Sequence, residues 1–136
     1  MLVLDASATL PWFLSDECTP ASLALQERVA SEGAVVPALW PFEMANGLAN
    51  VRRRARLTLA NEIRALRALK ALPITIVPMD MDTLNDSLAP LARLYSLTPY
   101  DAAYLELAIK RSLPLASRDN ELVSAAKNAG VSLLAA

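Results

Sequence analysis

Four carboxylates stand at the edges of apolar or helical stretches: Asp5 in "MLVLDASA", Glu43 in "VVPALWPFEMANGLAN", Asp101 in "TPYDAAYLELA" and Asp119 in "LPLASRDNEL". Asp5 ends an apolar run, and no basic residue is nearer to it in sequence than Arg28. A partly buried carboxylate is costly unless a cation, a donor or a proton compensates it. If several such acids share one pocket, their repulsion keeps some protonated unless a cation joins them. An all-oxygen set suits Mg2+ or Mn2+, which retains waters in its shell. An ion held that way can activate a water and stabilise charge on a phosphodiester, so the chemistry these residues suit is metal-dependent phosphodiester hydrolysis.

Composition narrows the alternatives. The chain has no histidine, which excludes Ser-His-Asp and Cys-His catalysis and histidine-based zinc sites. Its single cysteine, Cys18, rules out an intramolecular disulfide or a Cys-rich metal site. With 54% hydrophobic residues and a net charge of −1, the chain is neither a disordered tail nor a strongly basic nucleic-acid binder. RNA would need a local basic patch. A length of 136 residues fits one domain, 1–136, burying about two-thirds of its unfolded surface. No run of about eighteen apolar residues and no signal-peptide pattern occur, so the expectation is a cytoplasmic protein with no membrane span.

The elements that must position the acids alternate. Met1–Leu4, Ala34–Pro37, Ile74–Val77, Leu113–Ser117 and Val131–Leu134 read as short apolar strands. Between them, helices are predicted from Thr19-Pro20 to Ser31, Pro41 to Arg56 and Thr58 to Leu72. Others run from Asp82-Thr83 with a kink at Pro90, from Thr98-Pro99 to Arg111, and from Asn120 to Ala129. Such alternation implies an α/β fold with a parallel sheet covered on both faces, and ligands bind beyond the carboxyl ends of such strands. Asp5, Glu43 and Asp119 should meet at that edge. Asp101 begins a helix that follows another helix, so topology places it less directly. Steps of four and seven from Asp101 reach Leu105 and Ala108, putting it on an apolar face; from Glu43, helical steps reach Asn46, Gly47 and Asn50. Ser7 and Ser117, each two residues from an acid, complete a ring of small hydrogen-bonding groups with Asn46, suited to orienting ligands or waters.

Each acid also has an ordinary local use. Thr98 to Asp101 resembles a capping box, Asp119 can cap the next helix, and the helix dipole favours Glu43. Nothing local explains Asp5. In "MDMDT", Asp80 and Asp82 approach the Asp-x-Asp-x-Thr of haloacid-dehalogenase phosphatases, but the threonine comes one residue early, so both read as helix-start acids. Arg52, Arg53, Arg54 and Arg56 read as a solvated helix end that could also touch RNA phosphates. Trp12, Trp40 and Phe42 read as packing residues.

In their order and separation, "LDAS", "PFEMANGL", "YDAAYLELA" and "ASRDNEL" resemble the PIN-domain family, specifically VapC-type toxin ribonucleases of type II toxin–antitoxin systems. The resemblance spans nearly the whole chain. It implies a three-layer α/β/α sandwich with a central, mainly parallel sheet of four to five short strands. It implies a Mg2+- or Mn2+-dependent endoribonuclease acting on tRNA or rRNA, forming a homodimer and inhibited by a cognate VapB-type antitoxin. The family's acids fall on Asp5, Glu43, Asp101 and Asp119, and Ser117 stands where a threonine is common. Two other classes remain: a receiver-like signalling domain, against which the single acid after the first strand and the lack of any lysine beyond Lys127 speak, and a non-catalytic acidic-pocket binding module.

Overall fold

The computed structural model describes all 136 residues. Leu2–Leu4 (β1), Ala34–Pro37 (β2), Ile74–Val77 (β3), Leu115–Ala116 (β4) and Leu133–Leu134 (β5) form one sheet in the order β3-β2-β1-β4-β5. Every pairing is parallel. The β1 and β2 residues are all buried, which is why these strands are continuously apolar rather than alternating.

The chain moves outward from β1 through β2 to β3, then crosses back to β4 and on to β5. Right-handed crossovers put the helices of these two excursions on opposite faces. The first excursion carries Ala6–Thr9 (α1), Pro20–Glu32 (α2), Trp40–Arg53 (α3) and Leu59–Ala71 (α4), with α3 packed on α1 and α4. The second carries Met81–Thr83 (α5), Ala89–Tyr95 (α6), Pro99–Arg111 (α7) and Asn120–Asn128 (α8). Of these, α7 lies across β1, β2 and β4, flanked by α6 and α8. The result is the expected three-layer α/β/α sandwich. Its strand order differs from the 2-1-3-4-5 of receiver domains, which removes that alternative. No helix is long and apolar enough to cross a membrane.

The helix starts follow the predicted caps. Thr19 forms a reciprocal capping box with Ser22, and Thr58 and Thr98 accept from the N–H groups of Asn61 and Asp101. Asp80 accepts from Thr83 N–H at 2.7 Å, a helix-start acid as its sequence position suggests.

Differences have local causes. The residues after Asp5, for which no element is predicted, form α1 and a 3-10 turn at Leu10–Phe13, both too short to register as periodicity. A Cβ at Gly47 would stand 2.8 Å from Leu10 Cδ1, so glycine on α3 lets this turn approach closely. The helix around Pro90 is not simply kinked: Leu84–Leu88 is a π turn, with Ala89 N–H bonded to Leu84 O. Pro90 has no N–H to offer Asp86 O, and the wider turn absorbs that loss. The last two strands are shorter than predicted, and α3 stops at Arg53 because Ala55 turns left-handed at φ 57°. Phe42 is not a packing residue. It is 79% exposed, because it sits two residues from Trp40 on a helix whose buried face is Trp40, Met44 and Leu48.

Candidate active site

The strand order reverses between β1 and β4, and the chain leaves these two neighbours in opposite directions. The crevice so formed is where open α/β sheets bind ligands. Asp5 sits at its lip. Its N–H donates to Ala116 O of β4 at 3.0 Å, and its carbonyl accepts from Thr9 Oγ1 at 2.9 Å.

The Asp5 side chain is 5% exposed and meets no cation. Ser7 Oγ donates to its Oδ2 at 2.5 Å, and Ser117 Oγ donates to the same oxygen at 2.7 Å. Each serine in turn accepts a backbone N–H, Ser7 from Arg118 at 2.8 Å and Ser117 from Asp119 at 3.0 Å. Both hydroxyl protons therefore converge on Oδ2, and Oδ1 receives neither. Burial pushes the Asp5 carboxyl up; the two serines pull it back, and the Asp119 charge raises it again.

Glu43, in the first turn of α3, accepts from the Tyr104 hydroxyl at 2.5 Å. Burial raises its carboxyl, Tyr104 counters this, and the charges of Asp5 and Asp101 add to the rise. Burial, then the bond to Glu43, drives the Tyr104 hydroxyl upward, so it remains a protonated donor. Asp101 stands in the first turn of α7, which Thr98 caps. Its carboxyl is pushed up to about 6, chiefly by burial and then by the charges of Asp119, Asp5 and Glu121. Asp119 caps α8, its Oδ1 accepting from Leu122 N–H at 2.8 Å.

Each of the four acids thus lies within electrostatic reach of at least one other, and none forms an ion pair. No three of them are drawn into a ready-made ligand group. A hard divalent ion that keeps several waters takes only one or two carboxylates directly. The donor chemistry fits such an ion: oxygen ligands only, with Asp5 Oδ1 free of the serine hydroxyls.

The other predicted residues divide. Ser7 and Ser117 both donate to Asp5 Oδ2. Asn46 is exposed and its side chain makes no hydrogen bond. Arg52 pairs with Glu62 of α4, and Arg56 with Asp16 and Glu17 at 2.8 and 2.9 Å. Arg53 reaches Asn50 Oδ1 at 3.2 Å, and Arg54 is exposed. Sequence reasoning missed Tyr104 and Arg118. Tyr104 is three residues from Asp101 on the same helix, a spacing that could have flagged it. Arg118 donates its backbone N–H to Ser7 Oγ and its guanidinium N–H groups to Glu17 O at 3.3 Å.

Mutually interacting carboxylates without histidine, on a parallel sheet whose order reverses beside Asp5, define a carboxylate-based α/β protein. Comparison with known proteins narrows it. The model of the PIN domain matches residues 2–128. The chain is 31% identical over 126 residues to the VapC ribonuclease Mb0985 of Mycobacterium bovis and to ribonuclease VapC9 of Mycobacterium tuberculosis, covering 90% of this chain and 88% of each relative. Its fold is similar to that of PAE2754 from Pyrobaculum aerophilum (TM-score 0.72, 23% identity, 97% of this chain and 87% of the other). It is also similar to FitAcB from Neisseria gonorrhoeae (TM-score 0.63, 16% identity, 98% and 96%). The Mycobacterium tuberculosis sarcin-ricin loop cleaving toxin VapC20 matches at TM-score 0.60 and 14% identity, over 92% and 95%. The chain belongs to the PIN-domain family, as a VapC-type member.

Proposed function

We propose that this chain is a divalent-metal-dependent endoribonuclease, a toxin restrained by a cognate antitoxin. The observation that carries the reading is that Asp5, Glu43, Asp101 and Asp119 stand within one another's electrostatic reach while no basic side chain pairs with any of them. Its relatives named as VapC ribonucleases support RNA as the substrate. Mg2+ or Mn2+ would be held by Asp5 and Asp101, with Glu43 and Asp119 completing the site directly or through water. When bound, the ion supplies a Lewis acid for the phosphodiester and lowers the pKa of a bound water.

The chain's own residues prepare that site. Ser7 and Ser117 hold the Asp5 carboxylate through Oδ2. Tyr104 holds Glu43 against its neighbours' repulsion. The caps of α7 and α8 fix the backbone at Asp101 and Asp119. Arg53 and Arg54, not engaged by any carboxylate, are the members of the basic run available to RNA phosphates. An antitoxin segment bearing a basic side chain would compete for the same acids. A homodimer and a cytoplasmic setting go with this reading, and light scattering on the purified chain tests the former.

The test is cleavage of total RNA by the purified chain with Mg2+, with Mn2+ and with excess EDTA. Cutting that needs the ion supports the reading. A pocket that only holds a basic peptide would bind its partner and never cut RNA.

A further inference from the structure

A second feature lies beside the chain segments that carry Asp101 and Asp119. The turn from Leu94 to Leu97, joining α6 to α7, faces α8 across an open groove of about 520 Å³. Leu97 and Ala125, both buried, line it between the two walls. One wall leads on through Thr98 to Asp101, and the other begins at Asn120, directly after Asp119. Glu121 lines the groove near enough to Asp101 to act on its charge. The groove is therefore walled by the segments that lead directly into Asp101 and Asp119.

Its chemistry is distinctive. Asn120, Ser124 and Asn128 recur every fourth residue, so one face of α8 presents an amide, a hydroxyl and a second amide. None of these side chains makes a hydrogen bond within the chain, whereas the opposite face, Leu122 and Ala126, is buried. On the other wall, Tyr95 offers an aromatic ring and Leu94 is 72% exposed. No lysine or arginine lines the groove, and Glu121 would repel a phosphate. An uncharged group with a flat face and a hydrogen-bonding edge fits better. A nucleobase has both: its face stacks on aromatic and apolar side chains, and its edge pairs with asparagine amides. The polar face of α8 is about 12 Å long, room for about three stacked bases.

We infer that this groove binds unpaired nucleobases flanking the scissile phosphodiester, and so sets which RNA sequences reach the acids. The inference rests on the endoribonuclease reading above. It makes Asn128, Ser124 and Leu94 specificity residues with no part in the chemistry.

The test uses Leu94→Ala/Asn128→Ala, two exposed positions, with folding checked by circular dichroism. Binding is followed by anisotropy with labelled single-stranded ten-mers of A, C or U and with a ten-base-pair RNA duplex, the RNA being checked for integrity afterwards. The expected result is a loss of about tenfold in affinity for the preferred single strand and a flattened preference among the three. Duplex binding should hold, and in steady-state cutting KM should rise with kcat unchanged. Wild-type affinity and preference in the variant, while the wild type still cuts RNA, overturn the groove assignment and leave the ribonuclease reading standing. That outcome also follows if the groove serves a partner protein. Equal losses on duplex and single strands overturn it in favour of a backbone contact. A wild-type chain that neither binds nor cuts any RNA with Mg2+ or Mn2+ removes both readings.

Discussion

Ser7 and Ser117, 110 residues apart in sequence, hold their hydroxyl oxygens 3.3 Å apart and donate to the same oxygen of Asp5. One comes from the turn after β1 and the other from the end of β4, so the pair fastens together the two sides of the switch point. Ser117→Ala removes one donor to a buried carboxylate and leaves Asp119 N–H without its acceptor. We expect a stability loss of about 1–3 kcal/mol and a metal affinity or activity lower by about 10–100-fold. Chemical denaturation and metal titration measure the two effects. Ser7→Ala should act alike, and the double variant should lose less than the sum because both serve one oxygen.

Tyr104 supplies the same service to Glu43 with a single hydroxyl. Tyr104→Phe keeps the buried ring and removes the donor that holds the Glu43 carboxyl down. The Glu43 carboxyl should then titrate at higher pH. Activity should fall by about tenfold, the order of one charge-assisted hydrogen bond, and fall further at pH 6 than at pH 8. A pH–rate profile of the variant checks both.

On the proposed reading metal and proton compete for Asp101, whose carboxyl is raised to about 6 in the folded chain against an ordinary value of 3.8. Between those values the folded chain holds a proton that the unfolded chain has released. The associated stability is present below the unfolded value and is lost as pH rises through the folded one. Asp5 and Glu43, also raised, carry the same sign. Without metal, the melting temperature should therefore be higher near pH 5.5 than near pH 7.5. A divalent ion should raise it more at the higher pH, and its affinity should climb as pH passes about 6. Melting curves at the two pH values, with and without Mg2+, show whether the signs hold.

The arginines should separate by their partners. Arg56 spans Asp16 and Glu17 at the surface, where solvent and salt screen the pair, so Arg56→Ala should leave the melting temperature close to that of the wild type. Arg53→Ala/Arg54→Ala should leave stability unchanged and reduce the salt dependence of RNA binding by up to about two ions, one for each phosphate no longer neutralised. Binding isotherms across a salt series read this directly.

The strands and the capped helix starts were legible because each has a local cause: a continuous apolar run, or a threonine before proline; the acids stood out by their places after strands or in first helical turns. Asp5 was the most telling, since nothing beside it in sequence explained its charge. What escaped notice depends on distance. Tyr104 reads as one more apolar position on α7 until its hydroxyl is seen to meet Glu43, 61 residues away. Arg56 reads as a helix end, yet its acids are 39 and 40 residues off. The π turn before Pro90 reflects a choice between two ways of losing one hydrogen bond, which residue types alone do not decide.

The central claim is that the clustered carboxylates work together through a divalent ion. Asp5→Asn tests it most directly, because an asparagine oxygen can still accept from Ser7 and Ser117 while the charge is gone. RNA cutting by wild type and variant is measured with Mg2+ or Mn2+, alongside melting temperatures without metal. Cutting should disappear in the variant, and in the wild type with excess EDTA, while the metal-free variant melts no lower than the wild type. Cutting at the wild-type rate by Asp5→Asn, or by the wild type in EDTA, would contradict the claim.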